Sequence, residues 1–299
     1  MDNRREVRDF LVSRRGKVTP EQVGLPAGGN RRVPGLRRSE VAALAGVSVE
    51  YYSKLERGAL AGASAGVLAA IARALRLDDA ERAHLFDLAR AADGSDALER
   101  PSHRPSRSVA PRPTLQWVLD AVTGGPAFVR NGRMDIVAAN PLARAFYADV
   151  YVDPGNRANL ARFTFLDPAA ERFYPDWDLA ADISVAILRT EAGRDPTDKD
   201  LHDLVGELST RSDEFRTRWG AHDVRIHGAG AKRFHHAVVG DLELAYEGLE
   251  LVAEPGLTLT IYTAEPGSPS DDALRLLASW AASETSDQTE PEVRHTDHR

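Results

Sequence analysis

LRRSEVAALAGVSVEYYSKLERG, residues 36–58, decides the fold of the N-terminal part of this 299-residue chain. Its first half predicts a short helix with an apolar stripe at helical spacing, formed by Val41, Leu44 and Ala45. Gly46 then breaks the pattern, as expected of a residue that adopts a positive φ without steric cost. Ser48 predicts the cap of a second helix, because its side-chain oxygen can accept from a free backbone N–H. The stretch therefore predicts two short helices joined by a tight turn.

The second predicted helix has one apolar side and one polar side. Tyr52 and Leu55 lie three residues apart and are expected to face the core. The residues expected to point outward are Glu50, Tyr51, Ser53 and Lys54. This is the helix-turn-helix arrangement, in which the second helix enters the major groove of DNA. The alternative is an ordinary helical hairpin with a glycine turn.

The motif from Ser48 to Leu55-Glu56-Arg57-Gly58 resembles the xenobiotic-response-element type of helix-turn-helix. The longer string PGLRRSEVAALAGVSVEYYSKLERG looks like the MmyB-like transcriptional regulators. The resemblance implies that Ser48, Val49, Glu50 and Lys54 face the groove and that Arg38 grips a phosphate. The predicted DNA-binding residues are Arg37, Arg38, Ser39, Ser48, Val49, Glu50, Tyr51 and Lys54.

The amino-acid composition and the charge distribution exclude several classes of protein for this chain. The chain has no cysteine, which excludes disulfides and thiolate metal sites, and no apolar run approaches the roughly 20 residues of a membrane span. The N-terminus lacks the apolar core of a signal peptide, so we expect a cytoplasmic protein without a membrane partner. Residues 1–108 contain 19 Lys and Arg against 14 Asp and Glu, and the remainder contains 19 against 31. A basic N-terminal part and an acidic C-terminal part are typical of a sequence-specific DNA-binding domain with an attached regulatory domain.

The chain divides into four predicted regions. Residues 1–93 are predicted to form an all-α domain of five helices, and residues 94–113 a linker rich in Pro, Ser and Arg. Residues 114–282 form the second predicted domain, and residues 283–299 a polar, disordered tail. We also hypothesise that Arg31 and Arg32 touch the DNA backbone together with Arg37 and Arg38. The alternative for the first two is a solvated basic loop.

The second domain is predicted to be α+β, with an antiparallel sheet and flanking helices. Asn131-Gly132 predicts a hairpin between residues 127–129 and 134–138, and Asn140 precedes Pro141 as the cap of a helix. Helical stretches follow, and then two alternating strands: Leu242, Leu244 and Tyr246 share one face of the first, and Leu257, Leu259 and Ile261 one face of the second. A short strand, an Asn and then a helix resemble the opening of a PAS-type fold.

Four phrases resemble the PAS-like ligand-binding domain of the MmyB-like regulators: PAFVRNGRMDIVAANPLARAFY, RFYPDWDLAADISVAILRTEAG, FRTRWGAHDV and LTLTIYTAEPGSPSDDALRLL. This resemblance implies a buried pocket for an apolar small molecule such as a fatty acid. The predicted ligand-binding residues are Phe128, Phe146, Tyr147, Phe163, Trp177, Arg189 and Tyr246. For each aromatic residue the alternative is plain core packing. An acidic ligand would also require a cation, for which Arg189 and Lys232 are the candidates.

Two further sequence features, a Gly-x-Ser-x-Gly pattern and a group of histidines, do not predict a catalytic site. Gly62-Ala63-Ser64-Ala65-Gly66 matches a hydrolase pattern, but it follows a helix rather than a strand, so Ser64 is expected to cap the next helix. His222, His227, His235 and His236 are dense, yet the last two are adjacent on a predicted strand and point to opposite faces. We therefore predict no metal, no cofactor and no catalytic residue, and the chain is not expected to be an enzyme.

The sequence thus predicts a bacterial-type transcriptional regulator. One recognition helix presents only about four side chains to bases, so we expect a homodimer that reads two half-sites of a double-stranded operator. The second domain is expected to sense a small apolar molecule. The alternative is a DNA-binding protein whose second domain is only a dimerisation or partner-protein module. An enzyme is a further alternative, for which no set of nucleophile, base and orienting group is found.

Overall fold

The computed structural model describes residues 3–26, 35–93, 112–221 and 229–287. The chain forms two compact units. The helical unit consists of Met1–Val109 and Ala181–His227, and the sheet unit consists of Ala110–Ala180 and Gly228–Arg299. Among the described residues, no helix combines the length and the apolar composition that are needed to cross a bilayer.

The N-terminal part of the helical unit is a bundle of the five predicted helices. These are α1 (Asn3–Lys17), α2 (Arg38–Ala45), α3 (Val49–Glu56), α4 (Ala65–Ala74) and α5 (Asp79–Asp93). Val7, Phe10 and Leu11 of α1 are fully buried, and Tyr52 and Leu55 of α3 join the same core. Ser64 caps α4 by accepting from the Val67 N–H at 3.3 Å, which confirms its predicted structural role.

The prediction that Leu44 belongs to the core is wrong. Leu44 was expected to complete the apolar stripe of α2, but it is 39% exposed. The buried positions of α2 are instead Val41, Ala42 and Ala45. Because α2 packs against both α3 and α4, its buried face is centred on small alanines, which permit close approach and turn Leu44 outward.

The rest of the helical unit comes from much later in the chain. It includes most of α11 (Trp177–Arg194), and then α12 (Lys199–Arg211) and α13 (Asp213–Gly220). Leu201, Leu204, Val205 and Leu208 form the buried stripe of α12. The predicted boundaries at residues 93, 113 and 282 remain predictions, because compactness alone does not define where a domain begins. Arg31 and Arg32 and almost all of the predicted linker lie outside the described residues.

The sheet unit is built on a five-stranded antiparallel sheet, as the α+β prediction requires. Its strands are β1 (Ala127–Asn131), β2 (Ile136–Ala139), β3 (Ala229–His236), β4 (Gly240–Glu250) and β5 (Leu257–Thr263), in the order β2-β1-β5-β4-β3. Strand β4 alternates strictly, with Leu242, Leu244 and Tyr246 buried and their neighbours exposed. The predicted hairpin across Asn131-Gly132 is confirmed by the pairing of Val129 with Ala138.

Helices flank the sheet in this unit. They are α6 (Pro113–Ala121), α7 (Pro141–Phe146), α8 (Ala148–Val152), α9 (Leu160–Leu166), α10 (Ala169–Phe173), the start of α11, and α14 (Pro269–Asp287). Leu115 and Leu119 of α6 pack with Ala127, Val129 and Leu259 of the sheet in one cluster. The residues that alternate with these on β1 and β5 include Phe128 and Tyr262, whose rings stack at 6.2 Å on the other side. The sheet therefore separates a small aliphatic layer from an aromatic one.

Asn140 fixes the junction between β2 and α7. Its Oδ1 accepts from the Ala143 N–H at 2.7 Å, which is the predicted cap, and also from the Ala127 N–H at 3.1 Å. Its amide donates to the carbonyls of Val122 and Gly125 at 2.7 and 2.9 Å. One buried side chain thus satisfies four backbone groups that would otherwise lose water without a substitute.

Replacing Asn140 by alanine is therefore expected to lower the free energy of unfolding by about 2–4 kcal/mol, since buried groups lose their partners. Urea titration monitored by circular dichroism measures this loss. The matched control is Asp153→Ala, which removes an exposed cap of the Gly155 N–H and is expected to cost about 1 kcal/mol or less. Equal losses in the two variants would contradict this account of the junction.

Candidate nucleic-acid interface and ligand-binding core

The turn between α2 and α3 is built as the sequence predicts. Gly46 ends α2 with φ of 67°, and its N–H donates to the carbonyl of Ala43 at 3.2 Å. Ser48 is in an extended conformation, and its Oγ accepts from the Tyr51 N–H at 3.1 Å. Because Tyr52 and Leu55 are buried on the opposite side, α3 is held with its polar face outward.

The eight residues predicted to bind DNA lie on α2 and α3 or immediately before them, and all except Lys54, which is in the last turn of α3, are near a helix start. Seven of them are exposed in the helical unit: Arg37, Arg38, Ser39, Ser48, Val49, Glu50 and Lys54. Tyr51 is half-buried and packs against the helical core, so only part of its ring is open to a partner. Leu44 adds an exposed apolar side chain at the end of α2 that sequence reasoning had assigned to the core.

A buried carboxylate joins α1, α2 and α3. Glu56 is 1% exposed and accepts from Arg15 Nε at 2.6 Å and from Arg38 Nε. Arg15 also donates through Nη1 to the Leu36 carbonyl at 2.8 Å. The hydrogen bond to Glu56, and then its negative charge, raise the pKa of the Arg38 guanidinium. The guanidinium of Arg38 is thus held by Glu56, while about half of the Arg38 side chain remains exposed.

Glu56 and Arg15 were not among the predicted site residues. Glu56 lies within the Leu-Glu-Arg-Gly end of the helix-turn-helix motif, so the motif contained a signal for it. A carboxylate next to the buried Leu55 predicts a basic partner, because a buried charge without one is costly. Arg15 is 41 positions away in the sequence, and no local pattern identifies it as that partner.

The sheet unit contains a continuous aromatic core. Phe146 lies at its centre, with ring centroids 4.9 Å from Tyr147 and from Phe234, and 5.3 Å from Phe173. The other buried members are Phe128, Phe163, Tyr174 and Tyr262. Four predicted ligand residues, Phe128, Phe146, Tyr147 and Phe163, are therefore brought together by the fold.

Tyrosine hydroxyls form a polar line inside this aromatic core. The hydroxyls of Tyr147 and Tyr262 are 3.2 Å apart, and Tyr147 also interacts with Tyr174, which interacts in turn with Thr164. Burial, followed by the neighbouring Tyr262, raises the pKa of Tyr147, and burial likewise raises that of Tyr174. Both phenols are neutral near pH 7 and are able to donate hydrogen bonds.

The remaining predicted ligand residues have different surroundings. Tyr246 approaches the aromatic core through Tyr262 at 6.0 Å, and the ammonium of Lys232 lies 4.7 Å from its ring centroid. The indole N–H of Trp177 donates to the Thr164 carbonyl at 2.9 Å. Arg189 belongs to the helical unit, where it is fully buried and donates to Glu6 at 2.5 Å.

The histidines give no metal site in the described part of the chain. His235 is exposed and pairs with Asp241 at 2.6 Å, whereas His236 is buried and bonded to the Ala145 carbonyl at 3.1 Å. Their opposite orientations confirm the prediction from the strand alternation. Within the described residues no three His, Asp or Glu side chains form a group that could hold a metal ion, and His222 and His227 lie outside these residues.

Comparison with known families agrees with this architecture. A family model described as the MmyB-like transcription regulator ligand binding domain matches residues 111–277, more than half of the chain. The chain belongs to the MmyB-like transcription regulators. A second model, described as a helix-turn-helix domain, matches residues 7–85. A search of curated proteins finds no match.

These matches assign a broad role to each end of this MmyB-like regulator. The helix-turn-helix match covers α2, α3 and α4 together with most of α1 and the first half of α5, and the larger match covers the whole sheet. The protein is a DNA-binding transcription regulator with a ligand-binding domain. Residues 181–221 lie within the ligand-binding match, although they belong to the helical unit.

Removing the buried carboxylate should destabilise the helical unit strongly. We expect Glu56→Ala to lower the free energy of unfolding by about 3–5 kcal/mol, because it leaves Arg15 without its buried counter-charge. Thermal and urea unfolding measure the effect. The control is Glu50→Ala on the exposed face of the same helix, for which a change of about 0.5 kcal/mol or less is expected. A small loss for Glu56→Ala would show that the buried charge does not tie the three helices together.

Proposed function

We propose that this regulator reads an operator by placing α3 in the DNA major groove. The single observation that carries the proposal is the orientation of α3, whose apolar face is buried while Val49, Glu50 and Lys54 are exposed. Glu50 would accept from a cytosine amine, Lys54 would donate to guanine, and Val49 would contact a thymine methyl. The Ser48 oxygen caps the helix, which leaves its hydroxyl proton for a phosphate or a base.

The start of α2 would supply the contacts to the phosphate backbone. Arg38 is suited to this because Glu56 restrains its guanidinium while half of the side chain is exposed. Such restraint lowers the conformational entropy that is lost when the side chain contacts a phosphate. Arg37 and Ser39 are exposed beside it. Phosphate contacts fix register, and base contacts supply the specificity.

We further propose that the regulator works in the cytoplasm as a homodimer. One α3 offers about four side chains to the bases, and each good base contact supplies about 1–3 kcal/mol of discrimination. Two copies on half-sites one helical turn apart would give usable specificity. Light scattering of the free protein and of the complex measures the number of chains bound to one duplex.

Base-reading and backbone-contacting residues should respond differently to mutation. After an operator is selected from a random-sequence duplex library, Lys54→Ala and Glu50→Ala should relax the preference at single base pairs by about 1–3 kcal/mol. Arg38→Ala should weaken binding to all duplexes and reduce the salt slope by about 1. Fluorescence anisotropy at several salt concentrations distinguishes the two patterns.

The matched control for Arg38→Ala is Arg275→Ala, which removes an exposed arginine that is paired with acids on α14 of the sheet unit. We expect it to leave both the affinity and the salt slope unchanged. If the Glu50 and Lys54 variants kept the base preference of the parent chain, α3 would not be the reading helix.

The second part of the proposal is that the sheet unit senses an apolar molecule of the fatty-acid type within a PAS-like domain. The family match supplies the ligand-binding role, and the aromatic core supplies an apolar surface. The hydroxyls of Tyr147, Tyr174 and Tyr262 would donate to a carboxylate or another acceptor at one end of the ligand. Because the rings are packed against one another, the ligand would enter by displacing some of them.

Tetradecanoate is a suitable probe for this ligand-binding role. We expect it to raise the Tm of the parent chain through binding to the folded state. Tyr147→Phe should weaken binding by about 0.5–1.5 kcal/mol, because one hydrogen-bond donor is lost. Tyr151→Phe is the control, since Tyr151 is outside the aromatic core and packs near Arg144.

Mass spectrometry of molecules released from the denatured protein provides an independent search for the natural ligand. Absence of any released apolar molecule, together with an unchanged Tm in tetradecanoate, would contradict a fatty-acid-type ligand.

One observation favours the alternative that the sheet unit is only a dimerisation or partner-protein module. The aromatic core is filled by its own side chains, with successive ring centroids 4.9–6.2 Å apart. A domain of this kind would dimerise without releasing any small molecule on denaturation. Because both candidates predict a dimer, the Tm in tetradecanoate and mass spectrometry of released molecules decide between them.

A further inference from the structure

A segment from the ligand-binding match contacts two helices of the N-terminal bundle, α1 and α5. This segment, residues 181–221, is called the latch segment and includes most of α11 together with α12 and α13. It meets α1 where the Ser13 hydroxyl donates to the Ala221 carbonyl at 3.2 Å. It meets α5 at Gly193, where an added Cβ would lie 2.6 Å from the ring of His84. The segment thus contacts both α1 and α5.

The centre of this contact is a buried ion pair, called the latch pair. Arg189 of α11 is fully buried and donates through Nη1 to Glu6 of α1 at 2.5 Å. Its Nη2 donates to the Trp219 carbonyl, and its guanidinium lies 4.2 Å from the centroid of the Trp219 ring. Glu6 is itself only 5% exposed. Both charges are therefore removed from water and paired with each other across the contact.

A contact of this kind is specific but easily reversed. Burying two charges costs several kcal/mol of hydration, which offsets most of the electrostatic attraction between them. When the contact opens, Glu6 and Arg189 regain their hydration together, so neither is left as an isolated buried charge. A purely apolar contact of the same size would instead expose its surface to water on opening. The latch pair therefore specifies one arrangement, and its own contribution to the free energy of holding the segment is small.

The latch pair is connected to the DNA-facing side of the bundle through α1. Glu6 lies on the same helix as Arg15, and Arg15 binds Glu56, which in turn holds Arg38. A shift of α1 on release of Arg189 would alter the partner of Glu56 and thus the restraint on Arg38. Helix α11 also joins the two units covalently, because it carries both Trp177 of the sheet unit and Arg189 of the helical unit.

We propose that the latch segment, docked through Glu6 and Arg189, holds the DNA-binding helices in the arrangement that is competent for DNA. This inference rests on the proposed DNA-binding function. The latched arrangement leaves the face of α3 with Glu50 and Lys54 exposed. Release of the latch segment lowers the affinity for DNA, and the ligand-binding region can regulate the reading helices by this route.

Cross-linking tests the docked arrangement directly. Since the chain has no cysteine, the pair Ser13→Cys and Ala221→Cys introduces the only two thiols, and dibromobimane fluoresces when it bridges them. We expect efficient bridging in the full chain, and the bridged protein should bind its selected duplex at least as tightly as the unbridged protein. Failure to bridge, or loss of DNA binding on bridging, would overturn the proposal.

A double-mutant cycle tests the latch pair itself. Glu6→Gln and Arg189→Gln, each in the full chain, should lower both the yield of bridging and the DNA affinity, the latter by about fivefold or more. The double variant should lose less than the sum of the single variants, because its two amides can pair with each other. Arg216→Gln is the control, since it removes an exposed arginine on α13 that pairs with Asp213.

The DNA measurement separates regulation from mere stability, provided that circular dichroism shows each variant to be folded at the assay temperature. Strictly additive losses, or an affinity unchanged in both single variants, would overturn the latch. If a single variant does not fold, the bridged chain decides the question alone. If the parent chain itself selected no duplex, the proposed DNA-binding function would fail instead, so the two failures are distinguishable.

Discussion

The buried carboxylate of Glu56 is the constraint on which the DNA-facing half of this MmyB-like regulator depends. A carboxylate that is 1% exposed is tolerable only with compensating charge, and Arg15 and Arg38 provide it from two other helices. The requirement therefore places α1, α2 and α3 in one relative arrangement. It also connects structure to function, because Arg38 is restrained by the core and exposed at the surface where a phosphate would bind.

A second buried ion pair lies where α1 meets α11. Glu6 and Arg189 satisfy each other across a contact between α1 and a helix from the ligand-binding match. Buried pairs of this kind add little net stability, yet they tolerate few alternative arrangements. The two pairs share α1, which carries both Glu6 and Arg15.

In the sheet unit the main constraint is the burial of polar hydroxyl groups rather than of charges. Its core consists largely of aromatic rings, yet it contains the hydroxyls of Tyr147, Tyr174 and Tyr262, each of which must hydrogen-bond inside an apolar layer. The hydroxyls satisfy one another when the core is filled by its own side chains. The same hydroxyls would donate hydrogen bonds to the polar end of a bound molecule. A ligand would thus replace the hydrogen bonds that the tyrosines make with one another.

The sequence alone determined the elements whose signals are local: the Gly46 and Ser48 turn, the Asn140 cap, the hairpin at Asn131-Gly132 and the alternation of β4. These follow from φ preferences, caps and periodicity within a few residues. Tertiary structure alone decided that Leu44 is exposed, that Glu56 binds Arg15 and Arg38, and that Arg189 binds Glu6, 183 positions away, rather than joining the predicted aromatic ligand residues. The partner of a buried charge depends on the path of the whole chain, and periodicity contains no information about that path.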